Sequence, residues 1–206
     1  MTVTQAMYLV GEFAAGKTIL WHAGASSISI AGVQLSVARG AKATYITTSS
    51  AEKIDFCKNV LGATEGFNYK REDFSQAILA ATDGRGVDII VDFVGASHFQ
   101  QNLDALAKDG IVVVLAAMSG VSIPNLNISA FVRKRVSVRG SSLRSRDEDY
   151  QAALCKLFVK ETLPLIVAGK LKLMIEAIYP WTDIIQAQKL MESNQTKGKI
   201  ICNIST

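Results

Sequence analysis

The sequence predicts an α/β protein built on a doubly wound, mostly parallel sheet. Short apolar runs alternate with segments of helical periodicity along most of the chain. The two strongest runs, residues 87–92 and 111–116, are almost continuously apolar, as expected for strands buried on both faces. A turn of small residues also separates an early strand, residues 19–21, from the helix that follows it. Together these features predict six strands, followed by a C-terminal helix and strand.

Each predicted element follows from local composition. Gly11, Gly40 and Gly62 are typical helix stops, Ser49 and Ser50 are typical helix caps, and Pro164 predicts a break in a helix. The predicted strands are residues 19–21, 42–48, 66–69, 87–92, 111–116 and 136–140, with a closing strand at 199–204. The predicted helices are residues 2–11, a helix ending near residue 40, 51–61, 73–82, 99–107, 147–168 with its break, and 182–193.

Composition limits the functional classes. The 206 residues are 49% apolar and 19% charged, which predicts one folded domain over residues 1–206. We expect a cytoplasmic protein, because there is no apolar run of membrane-spanning length and no secretory leader. Three scattered cysteines and two histidines argue against a disulfide frame or a metal site. The net charge of +4 favours anionic ligands without identifying nucleic acid.

The turn between the first strand and its helix is a candidate phosphate site. A helix N-terminus presents free amides and a partial positive charge, and parallel sheets bind ligands at the carboxyl ends of their strands. Gly24 matches the glycine-rich pattern of dinucleotide sites, but Ser27 and Ser29 stand where glycine is usual. Ser27 is predicted to cap the helix and to offer its hydroxyl to a phosphate. The alternative is a strand, turn and helix that only pack together.

The end of the second strand predicts which dinucleotide binds. Sites for NAD place a carboxylate there, whereas sites for NADP supply cations. Here Thr47, Thr48 and Ser49 lead to Lys53, and Tyr69 follows the third strand. NADPH is therefore favoured over NADH, unless Lys53 is an ordinary solvated lysine.

Other polar residues have two open interpretations. Asp92 either caps a turn or acts in chemistry, and His22 is either a core histidine or a catalyst. The basic run 133–146 either binds nucleic acid or is a solvated edge, and it lacks the interleaved aromatic residues of a nucleic-acid site. The sequence offers no Ser–His–Asp set, so no catalytic residue is predicted.

Several segments together resemble a known family. They are HAGASSISIAGVQL at residues 22–35, GFNYKREDF at 66–74, SSLRSRD at 141–147 and IYPWTDIIQAQKLMESNQTKGKI at 178–200. In this order they are similar to the cofactor-binding half of zinc-free quinone oxidoreductases, the zeta-crystallin-like branch of the medium-chain dehydrogenases/reductases. The resemblance implies a Rossmann fold, reduction of a small-molecule quinone by NADPH, and a homodimer formed through strand 136–140.

The resemblance also implies cofactor-binding residues. Ser26, Ser27 and Ile28 would face the pyrophosphate, beside Gly24, and Ser49, Lys53 and Tyr69 would hold the 2′-phosphate. Leu115 and Ala116 would border the ribose; Ser142, Leu143 and Arg144 would lie toward the nicotinamide; and Thr2 and Asn194 match cofactor-proximal positions.

The family also has an N-terminal catalytic domain with a distorted barrel, which this sequence is expected to lack. The closing strand 199–204 normally pairs in that domain, so it is expected either to find another partner here or to fray. Three functions follow: a quinone reductase or its cofactor-binding half, a non-catalytic NADPH-binding module that acts through dimerisation, and nucleic-acid binding by the basic edge.

Overall fold

The computed structural model describes residues 1–204 and confirms the α/β class. The main-sheet strands are β1 Thr18–Trp21, β2 Ala43–Thr48, β3 Glu65–Asn68, β4 Val87–Asp92, β5 Leu106–Val114 and β6 Ser137–Gly140. The helices of this part are α1 Thr2–Thr4, which continues as a π-helix over Gln5–Val10, α2 Ser27–Ala38, α3 Ala51–Asn59, α4 Phe74–Ala81, α5 Ala96–Ala105 and α6 Ser129–Arg133. The C-terminal part contains α7 Glu148–Glu161, α8 Leu163–Val167, β7 Ile175–Pro180, a 3-10 turn at Trp181–Asp183, α9 Ile184–Glu192 and β8 Lys199–Asn203.

The main sheet has the order β3-β2-β1-β4-β5-β6, and all of its pairings are parallel. This is the Rossmann order, in which the direction of winding reverses beside β1. The carboxyl ends of β1, β2 and β4 therefore meet at the crevice where such sheets bind ligands.

The core lies on both faces of this sheet. Ile19 and Trp21 point to one face with α2, whereas Leu20 points to the other, because side chains alternate along a strand. All three side chains are completely buried. Since α2 packs directly on β1, the packing between these two elements fixes the position of the connecting turn relative to the sheet.

Several predicted boundaries were wrong. The helix predicted at 2–11 is mostly π-helical, and the helix predicted at 99–107 begins at Ala96 and gives way to β5 at Leu106. The buried face of α2 carries Ile30, Val33 and Leu35, whereas Ala38 at its end is exposed.

The C-terminal part contains a strand that the sequence analysis missed. β7 pairs in parallel with β8, with Ile178 opposite Ile201, and the two form a separate sheet. The closing strand therefore finds its partner within this chain. Among the helices that the structure describes, none is long and apolar enough to cross a membrane.

Candidate functional site

The turn between β1 and α2 lies at the carboxyl edge of the sheet. The Gly24 amide donates to the Thr47 carbonyl at 2.9 Å and so ties the turn to β2. A Cβ on Gly24 would lie 2.8 Å from Cβ of Ile46 and 3.1 Å from Sγ of Cys57. Glycine is therefore required here by the packing beneath the turn.

The α2 N-terminus has a different cap from the one predicted. Ser26, not Ser27, is the N-cap: its Oγ accepts from the Ser29 amide at 3.3 Å. Ser27 is the first helical residue, and its φ is not positive, so the serine adds no backbone strain. Among the described residues, the amides of Ser27 and Ile28 have no hydrogen-bond acceptor. Two amide donors thus remain available to a ligand.

Ser29 has an internal role. Its buried Oγ donates to the His22 carbonyl at 2.6 Å and links α2 to the end of β1. The second serine at a usual glycine position therefore faces the strand, and its hydroxyl is already used.

A polar cavity of about 150 Å³ lies in front of this turn. We call it the first cavity. Five predicted cofactor residues line it together: Ser26, Ser49, Lys53, Tyr69 and Asn194. The sequence analysis did not assign the remaining lining residues, Ala23, Ala25, Thr48 and Thr196, to the site. Within residues 1–204, no carboxylate lines this cavity, so its charge favours an anionic ligand.

Lys53 supplies the positive charge of the first cavity. Its Nζ donates to the Asn194 carbonyl at 2.5 Å, which leaves two of its three N–H donors. Burial lowers the pKa of the Lys53 ammonium, and the Glu52 carboxylate opposes that shift. An incoming anion would pair with a partly desolvated ammonium group. The electrostatic attraction between the two is stronger there than in bulk water.

A buried hydrogen-bond network supports the floor of the site. His22 Nδ1 lies 2.7 Å from Thr47 Oγ1, and Nε2 lies 2.7 Å from Asn102 Oδ1. The Asn102 amide donates to Asp92 at 2.9 Å, so its Oδ1 must accept from His22 Nε2–H, and Nδ1 accepts from the threonine hydroxyl. Burial lowers the His22 pKa to about 4, which keeps the ring neutral at pH 7. His22 is a core histidine whose ring joins the end of β1 to β2 and α5.

Asp92 is a turn cap, as one interpretation of the sequence proposed. Its Oδ1 accepts from the Val94 and Gly95 amides at 2.7 and 3.1 Å. The carboxyl is completely buried, and burial raises its pKa.

The other predicted cofactor residues lie in two further places. Leu115, Ala116 and Ser142 line a second cavity at the ends of β5 and β6. Leu143 and Arg144 directly follow Ser142 and lie outside that lining within the described chain.

Thr2, Ser27 and Ile28 line a third, largely apolar cavity of about 260 Å³, between α1, α2 and the C-terminal part. Ser27 Oγ donates to the Gly198 carbonyl at 3.2 Å, so the hydroxyl proton of Ser27 is already used in a hydrogen bond within the chain. The predicted cofactor residues thus form three groups along the carboxyl edge and around the α2 N-terminus.

The basic run is engaged within the fold. Lys134 Nζ donates to the Asp104 carbonyl at 2.6 Å, and Arg135 pairs with Asp109 at 2.7 Å. Arg139 pairs with Glu12 at 2.5 Å. These contacts are those of a structural edge and give no support to nucleic-acid binding. Within residues 1–204, no three His, Cys, Asp or Glu side chains are grouped as metal ligands would be.

Comparison with known proteins gives a consistent result. The family model described as zinc-binding dehydrogenase matches residues 27–160. A 2-haloacrylate reductase from a Burkholderia species is 27% identical over 205 residues, which cover 98% of this chain and 60% of that protein.

Solved structures also align with almost the whole chain. An NAD-dependent alcohol dehydrogenase matches with a TM-score of 0.85 and 26% identity, over 99% of this chain and 56% of its own. Escherichia coli quinone oxidoreductase complexed with NADPH matches with a TM-score of 0.82 and 26% identity, over 97% of this chain and 61% of its own. The chain therefore spans less than two thirds of the length of each of these proteins.

Proposed function

This chain belongs to the zinc-binding dehydrogenase family of the medium-chain dehydrogenases/reductases, and from that premise we propose that it is the cofactor-binding region of an NADPH-dependent quinone reductase. The observation that carries the proposal is the first cavity. It combines the Lys53 ammonium with the hydroxyls of Ser26 and Ser49, and no carboxylate lines it within the described residues.

The charge of this cavity supports NADPH over NADH. An NAD site needs a carboxylate at the end of the second strand to accept from the ribose hydroxyls. Here the end of that strand is followed by Ser49, and Lys53 lies four residues further along the chain. A 2′-phosphate would meet an ammonium and hydroxyl donors instead. The solved relatives include both an NAD-dependent enzyme and an NADPH complex, so the lining residues carry the choice.

The rest of the proposed site follows the carboxyl edge of the sheet. The free amides of Ser27 and Ile28 are suited to a pyrophosphate, and the second cavity, with Ala116 and Ser142, is suited to the nicotinamide end. When bound, the nicotinamide supplies a hydride, which together with one proton reduces a quinone to a hydroquinone. The residues of this chain bind and orient the dinucleotide.

Titration of the purified chain with NADPH and NADH in a calorimeter tests the proposal. We expect NADPH to bind more tightly than NADH, and addition of a small quinone to cause oxidation of NADPH above the background rate. If neither NADPH nor NADH bound to the chain, the proposal would be wrong. Tight binding of NADPH without oxidation would support the cofactor-binding role alone, as expected for a non-catalytic module or for a region that needs the rest of a longer protein.

Lys53→Gln is expected to weaken NADPH binding about tenfold and to change NADH binding less than about twofold, because one charge-assisted contact to the 2′-phosphate is lost. Lys58→Gln is the matched control. It removes the same charge from the same helix, but Lys58 pairs with Glu65 at 2.8 Å and does not line the first cavity. Equal weakening of both dinucleotides by Lys53→Gln would remove this lysine from the 2′-phosphate site.

We also propose a homodimer through β6. This strand is the last of the sheet order, so one of its edges has no strand beside it within residues 1–204. Two large apolar side chains in the segments leading to it are strongly exposed, Val121 at 85% and Val132 at 82%. Unpaired strand edges and exposed apolar groups favour association with a second copy. A monomer mass in light scattering at all concentrations would contradict the dimer.

A further inference from the structure

The loop 194–198 between α9 and β8 lies against the first cavity, and of its residues the sequence analysis assigned only Asn194 to the cofactor site. Asn194 and Thr196 contribute to the lining. Three polar contacts join this loop to α2 and α3: Ser27 Oγ to the Gly198 carbonyl at 3.2 Å, Lys53 Nζ to the Asn194 carbonyl at 2.5 Å, and Lys197 Nζ to Glu52 Oε1 at 2.6 Å.

The third contact brings a second lysine beside Lys53. Lys197 lines a cavity that adjoins the first one, since the two share Ser49, Lys53 and Asn194. Its Nζ also lies 5.9 Å from the ring centroid of Phe56 on α3. Lys197 thus lines the adjoining cavity together with Lys53 and with the carboxylates of Glu52 and Glu176.

The Lys197–Glu52 ion pair is weak enough for Lys197 to exchange Glu52 for the phosphate of a ligand. The Glu52 side chain is 77% exposed and that of Lys197 is 30% exposed. An ion pair with one partner so exposed is weak, because water competes for both charges. A phosphate monoester carries a charge of about −1.5 to −2 at pH 7, against −1 for a carboxylate, so it attracts the ammonium more strongly than Glu52 does.

We propose that Lys197 is a second cation for the 2′-phosphate of NADPH, and that Glu52 restrains it until the ligand arrives. This inference rests on the proposed function and deepens it. Lys53 and Lys197 together match the double charge of the phosphate, whereas NADH offers only neutral ribose hydroxyls at this position. Glu52 opposes binding in two ways, since it repels the phosphate and competes for Lys197. The ratio of NADPH to NADH affinity therefore depends on the Lys197–Glu52 pair as well as on Lys53 in the first cavity.

The test uses the full chain with Glu52→Gln, Lys197→Gln and the double variant, each titrated with NADPH and NADH. Removal of an exposed charge contact is worth up to about fivefold in affinity. We expect Glu52→Gln to tighten NADPH binding and Lys197→Gln to weaken it by about this factor, with NADH unchanged. The double variant should bind NADPH more weakly than Glu52→Gln alone. Lys189→Gln, at an exposed position on α9, is the control for a general loss of positive charge.

The outcomes separate this inference from the proposed function. If the double variant binds NADPH as tightly as Glu52→Gln, Lys197 only neutralises Glu52 and the inference is wrong. If Lys197→Gln behaves like Lys189→Gln while the unmodified chain prefers NADPH, the inference also fails but the proposed function stands. Failure of the unmodified chain to bind NADPH overturns both.

Discussion

Acidification from pH 7 to pH 5 is expected to lower the histidine contribution to the free energy of unfolding by about 4 kcal/mol, because the chain folds around two neutral histidines. His22 and His98 are both buried, and their ring centroids lie 5.0 Å apart. Burial lowers the pKa of each from 6.5 to about 4, and for His98 the neighbouring His22 lowers it further. They are the only histidines of the chain.

The sign of this effect follows from proton binding. Below pH 6.5 the unfolded chain binds a proton at each histidine, whereas the folded chain does so only near pH 4. The stabilisation is therefore complete above pH 6.5 and is lost as the pH falls toward 4. At pH 5 each histidine accounts for about 2 kcal/mol. The Asp92 carboxyl acts in the opposite direction, because burial raises its pKa.

His98→Phe isolates half of this effect. His98 Nε2 is buried and has no hydrogen-bond partner among the described atoms, and Nδ1 lies 3.0 Å from Ser97 Oγ. The ring packs against aromatic side chains at centroid distances of 5.0 Å to Tyr69 and 5.3 Å to Phe74, so a phenyl ring fits the chemistry of the site. In urea unfolding at pH 7, 6 and 5, the variant should lose only about 2 kcal/mol on acidification.

Ser97→Ala is the matched control for His98→Phe. It removes the same Nδ1 contact but keeps the titrating ring, so the full acid loss of about 4 kcal/mol is expected. An acid loss in His98→Phe as large as in the unmodified chain would show that His98 is not a source of the pH dependence.

The sequence predicts the sheet well because its signals are local. The strand predicted at 87–92 agrees with β4 to the residue, since a short, mostly apolar run between glycines is typical of a strand in a parallel sheet. The rules for right-handed crossovers limit the possible topologies to a few, and the structure shows which strand order is used. The position of Lys53 beside Ser49 and Tyr69 was predicted in the same way, because strand ends of one sheet share an edge.

Contacts between distant segments are not visible in local patterns. Lys197 and Glu52 are separated by 145 positions, so no spacing rule brings them together. β7 was missed because Ile175 and Ile178 are both exposed and no alternation marks the strand. Ser26 and Ser27 are both good caps, and only the backbone geometry shows that Ser26 is used.

The role of Gly32 in the packing of α2 on β1 could not be predicted from the sequence. In dinucleotide-binding folds a glycine in the helix after β1 permits close helix–strand packing, and the serines at 27 and 29 suggest that this glycine is missing. The structure shows Gly32 in that role. A Cβ there would lie 2.5 Å from Cε2 and Cζ2 of the Trp21 ring. The ring is completely buried, and its Nε1 donates to Ser36 Oγ at 3.1 Å, so it has no room to retreat.

Gly32→Val is therefore expected to destabilise the fold by about 3 kcal/mol, measured by urea unfolding at pH 7. Ala31→Val is the control: it adds a larger side chain to the same helix, but at a half-buried position that lines the third cavity, and should cost under about 1 kcal/mol. Combining Gly32→Val with Trp21→Leu should cost less than the sum of the two single changes, because the smaller side chain relieves the overlap. Strict additivity would contradict this packing. Where Gly32→Val still folds, α2 must move away from β1. The Ser27 and Ile28 amides would move with it, and NADPH binding should weaken more than it does in Ala31→Val.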